Sequence, residues 1–152
     1  VFADDHKFMG LALEEGRKAF AQGEVPIGCV IVKDGEVVGR GYNLRETDKN
    51  PVAHAEVLAI QEAARNLNGW RLTGTTLYVT VEPCPMCAGA IVLARIPRVV
   101  FSVMDLKGGA AGTCFNILES RWTNHRVEVV SGTREEEARE LMQAFFRRLR
   151  EK

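Results

Sequence analysis

Residues 76–87 read Thr76-Leu77-Tyr78-Val79-Thr80-Val81-Glu82-Pro83-Cys84-Pro85-Met86-Cys87. The first six are rich in β-branched side chains, which suit a pleated strand. Pro85 then opens a helix, since the N–H it lacks belongs to a first turn whose amides have no intrahelical partner. That helix ends before Pro97, and Arg98 to Val103 is a strand again. Strands separated by helices imply a partly parallel sheet with helices packed on it.

The same reading extends in both directions. A helix from about Asp5 to Gln22 carries Met9, Ala12, Leu13, Gly16 and Phe20 on one stripe, and Gly23 ends it. Val25 to Lys33 and Glu36 to Asn43 are two strands joined by Asp34-Gly35, a two-residue hairpin turn. Leu44 to Pro51 is a polar loop. A helix starting near Ala53 then presents Val57, Ile60, Ala63, Ala64 and Leu67 on its apolar face and stops at Asn68-Gly69. Arg126 to Val130 is a fifth strand. The last helix, about Arg134 to Arg150, spaces Ala138, Leu141, Met142, Phe145, Phe146 and Leu149 by the i, i+3, i+4, i+7 rule. This order predicts an α/β fold with a mixed five-stranded sheet and helices on both faces.

At 152 residues the chain fits one domain, 1–152, able to bury a real core. Lys plus Arg and Asp plus Glu each total 20, so zero net charge gives no global attraction to nucleic acid, and any such surface is a local patch. No apolar run approaches a membrane span and no signal-peptide pattern opens the chain. Four Cys, two of them at ligand spacing, fit a reducing compartment and hence the cytoplasm.

Two short segments carry chemistry. His54-Ala55-Glu56 is followed by Pro83-Cys84-Pro85-Met86-Cys87, which begins 27 residues after Glu56. One imidazole and two thiolates suit zinc, and three protein ligands leave a fourth position for water, the mark of a catalytic site. Cys84 and Cys87 are three apart at a helix start, where they share a face and the dipole favours thiolate. Glu56 is placed to move the water's proton. Each piece has a plainer reading. Cys-x-x-Cys alone serves as a redox pair, a glutamate at a helix start simply complements the dipole, and Cys29 or Cys114 could complete a closed structural site in a non-enzymatic zinc module. Neither a redox pair nor a closed site gives Glu56 a task.

His-x-Glu followed by Pro-Cys-x-x-Cys is the pattern of zinc-dependent nucleobase deaminases. The chain resembles the cytidine deaminase superfamily and, within it, the bacterial tRNA adenosine deaminases. The resemblance rests on Glu24-Val25-Pro26-Ile27-Gly28, Gly41-Tyr42-Asn43, Asn50-Pro51-Val52-Ala53-His54-Ala55-Glu56 and the run from Leu77 to Ala90. The discriminating pieces come later: Asp105-Leu106-Lys107-Gly108-Gly109-Ala110-Ala111-Gly112-Thr113, Asn124-His125-Arg126-Val127-Glu128 and Phe145-Phe146-Arg147. The chain departs from the family pattern at Val103-Met104 and Cys114-Phe115-Asn116.

The resemblance implies a three-layer α/β/α sandwich, one zinc per chain and a homodimer, for which the apolar run Ala88 to Ala94 offers a surface. It implies hydrolytic conversion of the wobble adenosine of a tRNA anticodon to inosine, with water activated at the metal attacking C6. His54, Cys84 and Cys87 match the zinc ligands and Glu56 the proton shuttle. Asn43 matches a pocket residue that hydrogen-bonds the target nucleotide, Asp105 and Lys107 a loop beside the anticodon, and Phe146 and Arg147 a terminal-helix surface near neighbouring nucleotides. Asp105 is not placed for catalysis, and its carboxylate suits selection of the ribose 2′-hydroxyl. By helical spacing alone, Phe145 and Phe146 belong to the core stripe, and the basic end of the helix complements its dipole. A free-base or nucleoside deaminase acting on guanine or cytidine shares the metal motif and is the competing assignment.

Overall fold

Alternation along the strands decides which layer each helix joins. Cys29, Ile31, Leu77, Val79, Val99 and Phe101 point to one side of the sheet, where they bury Ala55, Ala59, Ala63, Ala88 and Ile91. Their neighbours Val30, Val32, Tyr78 and Val100 point to the other side, against Phe8, Met9 and Ala12. The period of two is what a sheet covered on both faces requires. The structure, a computed structural model, describes residues 4–120 and 125–151.

The elements are α1 (Asp5–Ala21), β1 (Gly28–Lys33), β2 (Glu36–Tyr42), α2 (Ala55–Asn66), β3 (Thr75–Val81), α3 (Pro85–Leu93), β4 (Arg98–Val103), β5 (Glu128–Ser131) and α4 (Glu135–Arg150). The sheet order is β2-β1-β3-β4-β5. β1 runs antiparallel to β2 and β3, whereas β3, β4 and β5 run parallel. α2 and α3 cover one face, α1 the other, and Leu141 of α4 packs near Gly16 of α1. This is the expected three-layer sandwich with a mixed five-stranded sheet.

The Asp34-Gly35 turn has φ of 50° and 79°, the left-handed pair that a two-residue hairpin needs. β1 starts at Gly28 rather than Val25, because Pro26 cannot donate to a ladder. α2 starts at Ala55, with His54 extended at the cap position (φ −82°, ψ 152°). The terminal stripe is narrower than its spacing suggests. Phe145 is buried, but Phe146 and Leu149 are 42% and 54% exposed. The helix turns this side of its stripe to solvent, and Phe146 keeps an edge-to-face contact with Phe145 at 5.3 Å. Trp122, Asn124 and Lys152 lie outside the described residues.

Two packing features fix the helix that carries His54 and Glu56. Gly39 and Gly41 of β2 lie directly under α2, and a Cβ on Gly41 would overlap Ala55 O and sit 2.8 Å from Ala59 N. The alanine stripe Ala55, Ala59, Ala63 completes this close approach. At the other end of the sheet, Asp5 accepts two bonds from Arg98 (2.9 and 2.7 Å) and one from the Tyr78 hydroxyl (2.7 Å). Arg98 also donates to Glu128 at 2.7 Å, tying the start of α1 to β3, β4 and β5.

Candidate active site and metal centre

Three helix and strand ends converge on one cavity. β3 ends at Val81 and the chain passes through Glu82 and Pro83 to Cys84, which caps α3 in extended conformation (φ −76°, ψ 173°). His54 caps α2 in the same way. Both helices therefore aim their unpaired N–H groups and positive ends at the same place, which favours anionic sulfur. His54 Nδ1 lies 3.6 Å from Cys84 Sγ and 3.5 Å from Cys87 Sγ.

These separations can be tested against an ion. Zinc–nitrogen and zinc–sulfur bonds of about 2.0 and 2.3 Å at a tetrahedral angle place N and S roughly 3.6 Å apart. The donor set fits without rearrangement, and the three ligand atoms lie within 4.8 Å of one another. Cys29 is buried on β1 opposite Val79, and Cys114 is exposed, with its sulfur facing the Asp105 and Leu106 carbonyls. Neither joins the group, so among the described residues no fourth protein ligand closes it. The hydrogen bond from Cys87, then that from His54, depresses the Cys84 thiol to about 4 against the opposing effect of burial. Its bond to Cys84 in turn raises the His54 imidazole. Metal binding displaces such protons.

Glu56 occupies the first turn of α2 and is 4% exposed. Burial, reinforced by the Cys84 charge, pushes its carboxyl from 4.5 up to about 7, although its backbone hydrogen bond and His54 oppose this. A carboxyl that titrates near neutrality can both take and return a proton.

His54, Glu56, Cys84, Asn43 and Asp105 line one cavity, with Val25, Ile27 and Val81 as apolar wall. Asn43 is buried and its amide is fixed: Nδ2 donates to Val25 O at 3.2 Å and Oδ1 accepts from the Arg45 amide at 3.1 Å. One hydrogen and one lone pair of the amide remain available. Asp105 Oδ1 accepts from the amides of Lys107 (3.0 Å) and Gly108 (3.2 Å), so part of this carboxylate shapes its own loop. Lys107 and Phe146 lie on an adjoining apolar groove that shares Val25, Ile27, Val81 and Asp105 with the cavity. Arg147 stands apart, on a shallow surface with Gln143, Phe146 and Arg150.

Sequence reasoning passed over three residues. Arg45 lines the cavity, and Glu24 and Glu82 are buried carboxylates beneath its two flanking loops. Glu82 stands between an apolar strand and a Pro-Cys segment, where a carboxylate has no helix to cap. That was the available signal.

Residues 3–150 match the family model of MafB19-like deaminases. The chain is 54% identical over 148 residues to a tRNA-specific adenosine deaminase of Bacillus subtilis (strain 168), covering 97% of this chain and 92% of the relative. A solved structure from work on A-to-I editing by tRNA:A34 deaminases at the wobble position superposes with a TM-score of 0.85 at 43% identity, covering 89% of this chain and 98% of that one. A guanine deaminase from Bacillus subtilis superposes less well, with a TM-score of 0.63, 38% identity and coverage of 70% and 69%.

Proposed function

The chain belongs to the MafB19-like deaminases and, within them, to the tRNA-specific adenosine deaminases, and from this premise we propose how its residues carry out the reaction on the wobble adenosine of a tRNA anticodon. It is a hydrolytic deaminase. The observation that carries the mechanistic reading is the grouping of the His54, Cys84 and Cys87 donors at a cavity that His54 and Cys84 line together with the buried Glu56.

His54, Cys84 and Cys87 are the residues that would hold zinc, one ion per chain. When bound, zinc supplies the Lewis acidity that makes water nucleophilic near neutral pH. Glu56 takes one proton from the water as its oxygen bonds to C6 and gives that proton to the purine ring nitrogen. It then carries the second proton from the C6 hydroxyl to the exocyclic amine, and the C6–N bond breaks to release ammonia and leave the C6 carbonyl of inosine. Burial serves this shuttle by bringing the carboxyl's affinity for a proton close to neutrality. Val25, Ile27 and Val81 exclude bulk water around the base, and the fixed amide of Asn43 holds the nucleotide. Asp105 and Lys107 border the cavity and groove on one side, where flanking nucleotides enter, with Phe146 facing the groove from α4. Arg147 meets the RNA backbone farther out. An anticodon loop already presents splayed bases, so extraction from a duplex is unnecessary.

The domain spans residues 1–152. We assign it a homodimeric state, with Met86 and Leu93 of α3 at 37% and 69% exposure as part of the contact. Among the described residues no helix is long and apolar enough to cross a membrane. We assign the enzyme to the cytoplasm on the ground of its proposed tRNA substrate. The test is inosine formation in an anticodon stem-loop with adenosine at the wobble position, alongside free guanine, cytidine and adenosine. Turnover of the hairpin alone supports the assignment, and turnover of guanine alone replaces it.

A further inference from the structure

Glu82 is 3% exposed, and a carboxylate buried to this degree needs partners. The loop over residues 105–113 supplies four. Oε1 accepts from the Asp105 amide at 3.0 Å and from the Thr113 hydroxyl. Oε2 accepts from the amides of Ala111 (2.9 Å) and Thr113 (3.1 Å). The Ala110 amide adds a bond to Pro83 O at 2.8 Å, next to the same carboxylate. Gly109 shows how tightly the loop is wrapped: a Cβ there would overlap Oε1 and Cδ of Glu82 and lie 2.7 Å from Asp105 O.

We propose that Glu82 is a positioning residue for the substrate: it sets the distance between the Asp105–Lys107 rim and the segment bearing Cys84, and thereby how tightly the anticodon loop is held. The inference rests on the function proposed above. Three observations connect the clamp to binding. Glu82 and Asp105 line the same cavity as His54, Glu56 and Cys84. The loop continues from Asp105 into Leu106 and Lys107 on the adjoining groove. The opposite rim is built the same way, since Glu24, 1% exposed, accepts from the amides of Glu46 (3.2 Å) and Thr47 (2.6 Å) beneath the loop bearing Arg45. Each rim of the cavity is thus pinned from below by a buried carboxylate, whose charge the chemistry itself does not use.

Glu82→Gln keeps the side-chain size but turns an NH₂ group toward loop amides that can only donate. In the zinc-loaded protein, NMR hydrogen exchange should speed up at the amides of Asp105, Ala111 and Thr113 and stay unchanged in α3, with zinc content intact. KM for the wobble-adenosine hairpin should rise on the order of tenfold or more while kcat changes by less than about threefold, as expected when a binding rim shifts and the reacting groups do not. Gly109→Ala leaves the Glu82 side chain unsubstituted and forces the loop away from it, because the new methyl would overlap the carboxylate. It should reproduce the same KM-against-kcat split, and it carries the test if Glu82→Gln does not fold. Unchanged exchange at the three amides overturns the clamp. Faster exchange with an unchanged KM overturns its role in binding, and joint loss of zinc and kcat reassigns Glu82 to support of the metal ligands. A parent protein that binds zinc yet makes no inosine on the hairpin overturns the proposed substrate, and the exchange measurement then still decides whether Glu82 holds the loop.

Discussion

Replacing Glu56 with Gln should make the enzyme nearly inactive and, without metal, more stable. Burial raises the folded-state pKa of Glu56 from 4.5 to about 7, a difference of about 2.5 units. At about 1.36 kcal/mol per unit, ionised Glu56 costs the folded state about 3 kcal/mol. The sign follows from the raised value. The folded protein holds this proton more tightly than the unfolded chain, so the contribution is fully present below pH 4.5 and is lost as pH rises through about 7. Glutamine never ionises. Chelator-treated Glu56→Gln should therefore exceed the parent by about 3 kcal/mol at pH 8, or roughly 6–12 °C in Tm, and match it below pH 4.5. Urea unfolding of both proteins under reducing conditions across this range gives the difference directly. The zinc-loaded variant should lose a factor of about 10² to 10⁴ in inosine formation, the usual contribution of a general acid–base group. A variant no more stable than the parent at pH 8 would refute the burial argument, and activity within tenfold of the parent would remove Glu56 as the shuttle.

Cys84→Ser should abolish stoichiometric zinc in metal analysis of the purified protein, and full zinc with full activity would defeat the ligand assignment. Gly41→Ala forces α2 off β2; overpacking of this kind costs about 1–3 kcal/mol, and because α2 carries His54 the variant should also bind zinc more weakly in a competition titration. Asp5→Asn should destabilise the fold by about 2–4 kcal/mol, since it removes the negative charge that meets the Arg98 guanidinium, 8% exposed, at 2.7 Å, whereas the carboxylate of Glu128 beside it is largely solvated. Burial raises the Asp5 carboxyl, but the bonds from Arg98 and Tyr78 outweigh it and hold it below its ordinary value. Its stabilisation is therefore present at neutral pH and lost as pH falls through the depressed value, so unfolding curves of parent and variant should converge in acid. Asp105→Asn should narrow the preference for RNA over DNA in matched hairpins, and an unchanged ratio would leave Asp105 as a loop-shaping residue through its bonds to Lys107 and Gly108.

The candidate metal donors are legible because their chemistry is local. Spacing within Cys84-Pro85-Met86-Cys87 fixes two sulfurs at one helix start, and His54-Ala55-Glu56 pairs a ligand type with the proposed proton carrier two residues away. Phe146 shows where periodicity misleads. Its position in the i, i+3, i+4, i+7 pattern equals that of a core residue, yet the helix leaves it 42% exposed beside the groove. A repeat along one helix specifies which residues share a face, whereas the width of that face in contact depends on what the sheet places opposite.

Sequence by itself determined the order of elements, the two-residue hairpin turn at Asp34-Gly35, the helix starts at Pro85 and next to His54, and which three side chains are the candidate metal donors. These follow from backbone restrictions and short-range spacing, which the chain carries wherever it folds. Only the tertiary structure brought Nδ1 of His54 within 3.6 Å of the two sulfurs, buried Glu56 enough to raise its proton affinity, and joined Asn43 and Asp105 across one cavity. It alone gave Glu82 a task. The partners of Glu82 lie 23 to 31 residues away along the chain, and a carboxylate's acceptor geometry has no sequence period to announce them. Their meeting depends on the parallel pairing of β3 with β4, which carries the loop after β4 back over the end of β3.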